Sequence, residues 1–371
     1  MNVILFFTFD ISLKTWHETG LLERELKFFK RLISNGVKLT LVTYGDSSDL
    51  NFVNNSNIKI LPIYSLIKKP KNKIFRYLKS FFIPYIIRNE IKKSDLIKTN
   101  QLMGSWVAII SKLFFRKKLI IRTGYDLLTF NVKNKKTKLI IIFTYLLTII
   151  SIIFSNRYIV SSITDKKFLN KITLKIFNKK IIIIRNWVEY TDEISYQNRT
   201  DTILTVGRLE KQKNISLLIK VANDNNVSLD IVGSGTLKRE LMNLSKDLTN
   251  INFLGSFNNS QLLELYKNYK IFVVTSFFEG NPKSLLEAMS AGCIVVASNI
   301  PNISEIITDG VNGYLHNFNV EEINNIVEDI KKNYKNYENV IRNSRDTIRE
   351  NFNLEDISNL EFEIYKNLTD N

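Results

Sequence analysis

The sequence predicts an α/β protein of two doubly wound, Rossmann-like domains. Three observations predict it: a chain of 371 residues, apolar runs alternating with helically spaced segments in both halves, and a polar run with neither period between them. The length is about twice that of an ordinary domain, so either half can bury its own core. In the first half the runs NVILFFT, KLTLVTY, IKILPI, LIKTN, KLIIRT, RYIVSS and KIIIIRNW read as strands. Stretches such as Glu18–Ser34 and Met103–Phe115 have helical spacing. That alternation implies a parallel sheet covered on both faces. The second half repeats it with TILTV, SLDIV, INFLG, KIFVVTS, CIVVAS and GYLH, and with helices that include Ser260–Tyr269 and Val320–Lys332. The run from Glu189 to Asp201 is placed as the linker. Domains are therefore expected over 1–189 and 190–353, followed by a helix over 354–371.

Composition bounds the class. The apolar share of 44% and charged share of 24% are those of an ordinary globular protein. Cys293 is the one cysteine; it sits in an apolar run, where it reads as a small core residue. With no signal peptide at the start, it favours a reducing, cytoplasmic setting. The net charge of +16 is unevenly shared: residues 1–190 hold 34 Lys+Arg against 11 Asp+Glu, and residues 191–371 hold 18 against 25. Compositional drift would not leave the second half acidic, so a basic surface that meets anionic lipid or phosphate is expected. The segment Leu139–Phe154 is apolar all round, follows the basic run KNKKTK, and is shorter than a membrane span of about 20 residues. It reads either as a helix buried in the first domain or as a patch that dips into a bilayer, placing the protein peripherally at the inner face of a membrane.

The chemistry concentrates in two places. Thr275–Gly292, TSFFEGNPKSLLEAMSAG, follows a strand and opens a helix, with Asn281 as N-cap and Pro282 at the first helical position. Such a helix turns free amides and its positive dipole end toward the carboxyl edge of the sheet, a setting for a diphosphate or a sugar. Glu279 and Glu287 can each accept a pair of vicinal hydroxyls, one set from the sugar and one from a ribose. The plainer alternative is that Glu279 caps the helix and Glu287 is exposed. Gly207–Lys213, GRLEKQK, also lies between a strand and a helix, for which Asn214 is a suitable N-cap. Arg208 and Lys213 would then stand at the same edge and neutralise charge growing on a departing diphosphate.

GRLEKQK with EGNPKSLLEAMSAG, followed by DGVNGYL at Asp309–Leu315, resembles glycosyltransferase family 4 of the GT-B enzymes, densely over Thr202–Leu315 and loosely before Glu189. The resemblance implies the GT-B architecture, two doubly wound domains facing across a cleft with the last helix, 354–371, crossing back to the first, and a retaining, metal-independent hexosyltransferase without a cofactor. Its substrates would be a nucleoside diphosphate sugar (UDP or GDP) and a glycan or lipid-linked acceptor, in surface polysaccharide or lipopolysaccharide assembly. It implies that Arg208 and Lys213 bind the donor diphosphate, that Glu279 binds the transferred sugar and Glu287 the ribose, and that Gly207, Gly280, Asn281 and Pro282 face the donor. The departing phosphate would act as base for the acceptor hydroxyl.

The first half departs from the family pattern. Its first strand-to-helix loop, SLKTWHETGLLERE, offers only Gly20 in place of a glycine pair. Where the family carries a histidine this chain has IIRTGYDLL, so Arg122, Asp126 or His17 is placed on the acceptor side, against the alternative that the loop is structural. His316 reads as a surface residue. RNWV stands where a Pro-Asn-Gly turn is usual, and only Asn186 carries over. Gly233 and Gly235 read either as an approach to the donor or as a tight turn. Two histidines and one cysteine assemble no metal cluster, and G-x-G-x-x-G after the first strand is absent, which argues against a nicotinamide enzyme. The rivals are a GT-B nucleotide-sugar epimerase, whose acid and base groups are not found, and a nucleic-acid-binding protein. The latter rests on the basic half alone, and no nucleic acid is expected as partner.

Overall fold

The computed structural model describes residues 1–124, 126–190 and 198–370. Most of the expected linker (191–197), Tyr125 and residue 371 lie outside the described residues. The chain forms two compact units, residues 1–184 with 357–371, and residues 185–356.

The first unit is a parallel seven-stranded sheet of β1 (Asn2–Phe6), β2 (Lys38–Thr43), β3 (Ile58–Pro62), β4 (Leu96–Thr99), β5 (Lys118–Arg122), β6 (Arg157–Val160) and β7 (Ile181–Ile183), in the order β3-β2-β1-β4-β5-β6-β7. The second is a parallel six-stranded sheet of β8 (Thr200–Val206), β9 (Leu229–Val232), β10 (Ile251–Gly255), β11 (Tyr269–Val274), β12 (Ile294–Ser298) and β13 (Tyr314–His316), in the order β10-β9-β8-β11-β12-β13. Helices cover both faces, which is why the inner strands read as unbroken apolar runs: every residue of β12 is buried. Strand order reverses between β1 and β4 and again between β8 and β11. Consecutive loops leave in opposite directions at these switch points, where open α/β sheets bind ligands.

Several elements differ from the sequence expectation. The stretch read as one helix from Glu18 is two, Leu13–Glu18 capped by Ser12 and Leu21–Ser34, because Gly20 between them takes a left-handed φ of 70°. The KIIIIRNW run leaves its sheet at Ile183, and Arg185–Val188 packs in the second unit, where the Val188 amide donates to the Phe352 carbonyl at 2.9 Å. The DGVNGYL segment is a folded turn: Asp309 accepts from the Leu315 amide, and a side chain at Gly313 would press on Val295.

The apolar segment forms the helix Lys138–Phe154, and the fully buried reading fails. Thr144, Thr148 and Ser151 face the unit interior beside Leu147 and Ile152, while Leu139, Ile142, Phe143, Leu146, Ile150 and Ile153 are exposed. The threonines satisfy their hydroxyls on carbonyls one turn back, at Ile140 and Thr144, so the small polar residues can be buried. No helix among the described residues is long and apolar enough to cross a membrane.

The last helix, Leu354–Thr369, enters the first unit and buries Glu361 among Lys98, Arg122 and Tyr365. The Lys98 ammonium also lies near the faces of Phe28 and Tyr365.

Candidate active site

The site grows from the switch point of the second sheet. Three loops at its carboxyl edge, after β8, β9 and β11, are bonded into one frame. The Gly207 amide donates to the Val232 carbonyl (3.0 Å), Leu209 to Ser234 (2.9 Å) and Leu237 to Leu209 (3.0 Å). The close approach requires the glycines: a Cβ at Gly233 would collide with the Gly207 carbonyl, and one at Gly235 with that of Leu209. Of the two readings of Gly233 and Gly235, the tight turn accounts for them. Glu210 clamps the pair of loops, accepting from the Thr236 amide (3.0 Å) and hydroxyl (2.8 Å), bonds that lower its pKa.

The loop after β11 is stitched to the same frame. Thr275 donates its hydroxyl to the carbonyls of Lys213 and Asn214 (both 3.0 Å), the Phe277 amide donates to the Gln212 carbonyl (2.9 Å), and the Gln212 side chain donates to the Phe278 carbonyl (2.7 Å). These bonds bring the two sequence motifs together: Lys213 Nζ lies 2.5 Å from Glu279 Oε1, both side chains largely buried. Arg208 lies exposed on the same loop as Lys213. Beneath them the Val274 carbonyl accepts from Ser298 Oγ (3.1 Å) and His316 Nε2 (3.0 Å). The Phe318 amide donates to His316 Nδ1, so Nε2 carries the proton. Burial lowers the His316 pKa and keeps the ring neutral; this corrects the expectation of a surface residue.

The helix begins one residue later than its sequence suggested, at Lys283, with Pro282 in the N-cap position. Asn281 therefore caps nothing; its carbonyl accepts from Asn186 Nδ2 at 2.8 Å. Two buried polar atoms of this loop, Ser276 Oγ and Asn281 Oδ1, have no hydrogen-bond partner among the described residues. Buried polar atoms are nearly always paired, so two unmet atoms on the loop that also carries Glu279 leave hydrogen bonds that a polar ligand could complete. Asn214 does take the N-cap position of its helix, but at φ 49° and without a side-chain cap bond. Glu287 is buried, ruling out the exposed alternative, and receives the Tyr266 hydroxyl (3.3 Å) and the Asn259 amide (3.5 Å). Burial first, then the Glu287 charge, push the Tyr266 pKa far up, so its phenol stays a donor. Cys293 is buried, as expected, its thiol toward the Tyr266 carbonyl.

Arg208, Lys213, Glu279, Gly207, Gly280, Asn281, Pro282 and Glu287 all belong to the second unit. Gly20, His17, Arg122 and Asp126 belong to the first and are scattered there. Gly20 is the break between two helices, and His17 is exposed with its ring against Phe52 at 5.1 Å. Arg122 pairs with Glu361, 2.5 Å away. Asp126 is a buried helix cap accepting from the Thr129 amide (2.6 Å), its pKa raised by burial. These contacts give Arg122 and Asp126 structural work; a Thr or Ser would have signalled the Asp126 cap equally well. Sequence reasoning missed Glu210, Thr236, Gln212, Asn259 and Tyr266, whose types and spacing are those of ordinary surface and core residues. No group of three or more His, Cys, Asp or Glu suited to a metal exists among the described residues.

The sequence model of Glycosyl transferases group 1 matches residues 190–347. The O-antigen biosynthesis glycosyltransferase WbnH of Escherichia coli is 29% identical over 266 residues, 71% of this chain and 75% of that protein. An uncharacterized glycosyltransferase of Methanocaldococcus jannaschii is 37% identical over 133 residues, but the match spans only 34% of either chain. The crystal structure of Anabaena HepE in complex with UDP and glucose superposes with a TM-score of 0.76 at 17% identity, covering 99% of this chain and 100% of that one. The two sheets thus share the GT-B fold, and residues 190–347 match the sequence model of Glycosyl transferases group 1.

Proposed function

We propose that the protein is a retaining hexosyltransferase that moves a sugar from a UDP or GDP sugar to a glycan or lipid-linked acceptor, in surface polysaccharide or lipopolysaccharide assembly. The observation that carries this reading is the Lys213–Glu279 pair at the switch point of the second sheet, with Arg208 on the same loop and the unmet Ser276 and Asn281 atoms beside it. The named role of WbnH in O-antigen biosynthesis supports the polysaccharide context.

In this reading the second unit holds the donor and the first receives the acceptor. The diphosphate sits at Arg208, Lys213 and the amide end of the helix Lys283–Ser290, with Gly207, Gly280, Asn281 and Pro282 around it. Glu279 accepts hydroxyls of the sugar. Glu287 accepts those of the ribose; its carboxylate has about four lone-pair directions, so Tyr266 and Asn259 leave room. As the bond from the anomeric carbon to the diphosphate oxygen breaks, its electron pair passes to that oxygen, and the two cations hold the charge. The acceptor oxygen bonds to the same face of the anomeric carbon, and its proton passes to the departing phosphate. No protein nucleophile and no metal are needed. Incubation with a panel of UDP and GDP sugars should give slow nucleotide release from one donor, unchanged by chelator; no release and no binding from any donor would reject the reading.

A peripheral position at the cytoplasmic face of a membrane belongs to the same reading. The basic first half, the run Lys133–Lys138 and the exposed apolar side of the helix Lys138–Phe154 support it.

A further inference from the structure

A short helix of the first unit is built inside out. Lys73–Ser80 turns Ile74, Phe75 and Leu78 to the outside, 67%, 59% and 52% exposed, and turns Arg76 and Tyr77 inward with Ser80 fully buried. A helix on a soluble surface does the reverse. The outer face continues through Phe81, Phe82 and Tyr85, all exposed, and Tyr77 meets Phe143 of the apolar helix Lys138–Phe154 at 6.5 Å between ring centroids. Lys68, Lys69, Lys71, Lys73 and Lys79, on this helix or just before it in the chain, are all exposed. An exposed apolar face on a lysine-rich stretch fits the interface of an anionic leaflet.

The inner face reaches the switch point of the first sheet. There the loops after β1 and β4 meet through the Phe9 amide, which donates to the Met103 carbonyl at 3.0 Å, and through Gly104, where a Cβ would crowd the Phe9 nitrogen and the Phe7 carbonyl. Asp10, in the β1 loop, takes a left-handed φ of 66°, and Arg76 Nη1 donates to its Oδ2 at 2.5 Å. The pair is only half used. Asp10 Oδ1 and Arg76 Nε are both buried with no hydrogen-bond partner among the described residues. Phe9, Tyr77 and Trp106 wall the place, their centroids 4.6–5.6 Å apart, and Trp106 Nε1 donates to Ser80 Oγ at 2.8 Å. Tyr64 stands near, its phenol pushed up to about 12 by burial and then by Asp10, and so remains a donor.

We propose that this helix reads the acceptor: with its outer face in the leaflet, Arg76 leaves Asp10 for the phosphate of a lipid-anchored acceptor, and Asp10 takes hydroxyls of the sugar beyond it. The inference rests on the transferase reading above and names its acceptor class. A helix is about 10 Å across, so a guanidinium on its inner side lies roughly one headgroup depth below the inserted face, the level at which a lipid carries its phosphate. A phosphate engages the guanidinium through two parallel bonds, which would satisfy the idle Nε.

The test is titration calorimetry of the whole chain in a non-ionic detergent. UDP and GDP are titrated first and then kept in excess to fill the donor site, and the probes are farnesyl diphosphate, farnesol and inorganic diphosphate. Farnesyl diphosphate should bind at least about tenfold more tightly than either part alone, and Arg76→Gln should lose about tenfold of that affinity. Asp10→Asn should tighten binding, because the phosphate no longer competes with a carboxylate. Equal affinity for inorganic and farnesyl diphosphate, no change in Arg76→Gln, or weakening in Asp10→Asn would each overturn the proposal. If Arg76→Gln melts early, Arg76→Lys keeps the charge without the second bond and should fall between the two. Nucleotide binding without farnesyl diphosphate binding rejects this inference alone, whereas failure of UDP and GDP both to bind rejects the reading beneath it.

Discussion

In residues 185–356 the loops at the carboxyl edge are joined to one another by main-chain bonds, two interlocking glycines and the Glu210–Thr236 clamp, and their charged side chains converge. In residues 1–184 the loops of the corresponding edge are bonded as well, Phe9 to Met103 and Tyr44 to Ile11, but the Arg76–Asp10 pair there is half-satisfied, and two helices display apolar side chains outward. The same kind of sheet edge thus carries a paired Lys213–Glu279 at its centre in one unit and lies beside an apolar, basic exterior in the other. A small, highly charged ligand demands fixed donors at fixed distances, whereas a lipid-bound one demands a surface. The unequal charge of the two halves is in keeping with the division proposed above.

The largest expected effect lies in the first unit. Burial pushes the Glu361 pKa up, but the charges of Lys98 and Arg122 and the bonds from Lys98 and Tyr365 outweigh it and hold the group low. Glu361→Ala would leave Lys98 buried without its counter-charge and should cost about 3–5 kcal/mol in urea melts. A folded pKa below that of the unfolded chain gives stability that is full above about pH 4.3 and is lost as pH falls further. Glu361→Gln should therefore flatten the acid limb, and an unchanged limb would discount the cluster.

In the second unit the comparison predicts loss of function with the fold intact. Arg208→Ala and Lys213→Ala should each lose about 2–4 kcal/mol of transition-state stabilisation. Glu279→Gln should impair transfer, while Glu287→Gln should chiefly weaken nucleotide binding; equal loss of nucleotide affinity in both would reject that division. Because Lys213→Ala strips Glu279 of its partner, Lys213→Ala with Glu279→Gln should melt no lower than Lys213→Ala alone.

A smaller effect separates the units by pH. Burial lowers the His316 pKa below the unfolded value of about 6.5, so between the two values the unfolded chain binds the extra proton. Stability of the second unit should be full above about pH 6.5 and decline below it, well before the Glu361 limb is reached. His316→Gln should remove the earlier decline, read as the pH dependence of the melting temperature.

Much of this was legible in the chain. Parallel strands buried on both faces print as apolar runs, and the motifs after β8 and β11 name residues that the switch point brings together. What stayed hidden depends on distance or on direction. Glu361 and Lys98 are 263 positions apart, and nothing local marks either as buried. His316 ends a strand of three residues and reads as exposed until Val274 supplies its acceptor. The helix Lys73–Ser80 has an ordinary amphipathic pattern; periodicity gives two faces but not which one turns inward.

The smallest expected effect on stability tests the outward faces most directly. Ile141 is half-buried, and Leu146 and Ile150 are exposed on the helix Lys138–Phe154, so replacing all three with Ser removes little buried area. Exposed substitutions usually shift stability by no more than about 0.5 kcal/mol each, so the triple variant should melt close to the parent. Its behaviour on liposomes should nonetheless change. The parent should float with anionic vesicles in a salt-dependent manner, since each lysine near the surface contributes about 1 kcal/mol before screening. A fraction should persist at high salt because apolar side chains have entered the interface, and the triple variant should lose that fraction alone. Loss of the fold would mean that the face is covered and the outward orientation wrong. Absence of flotation at any salt would end the membrane reading and leave the asymmetry between the two units without a lipid to explain it.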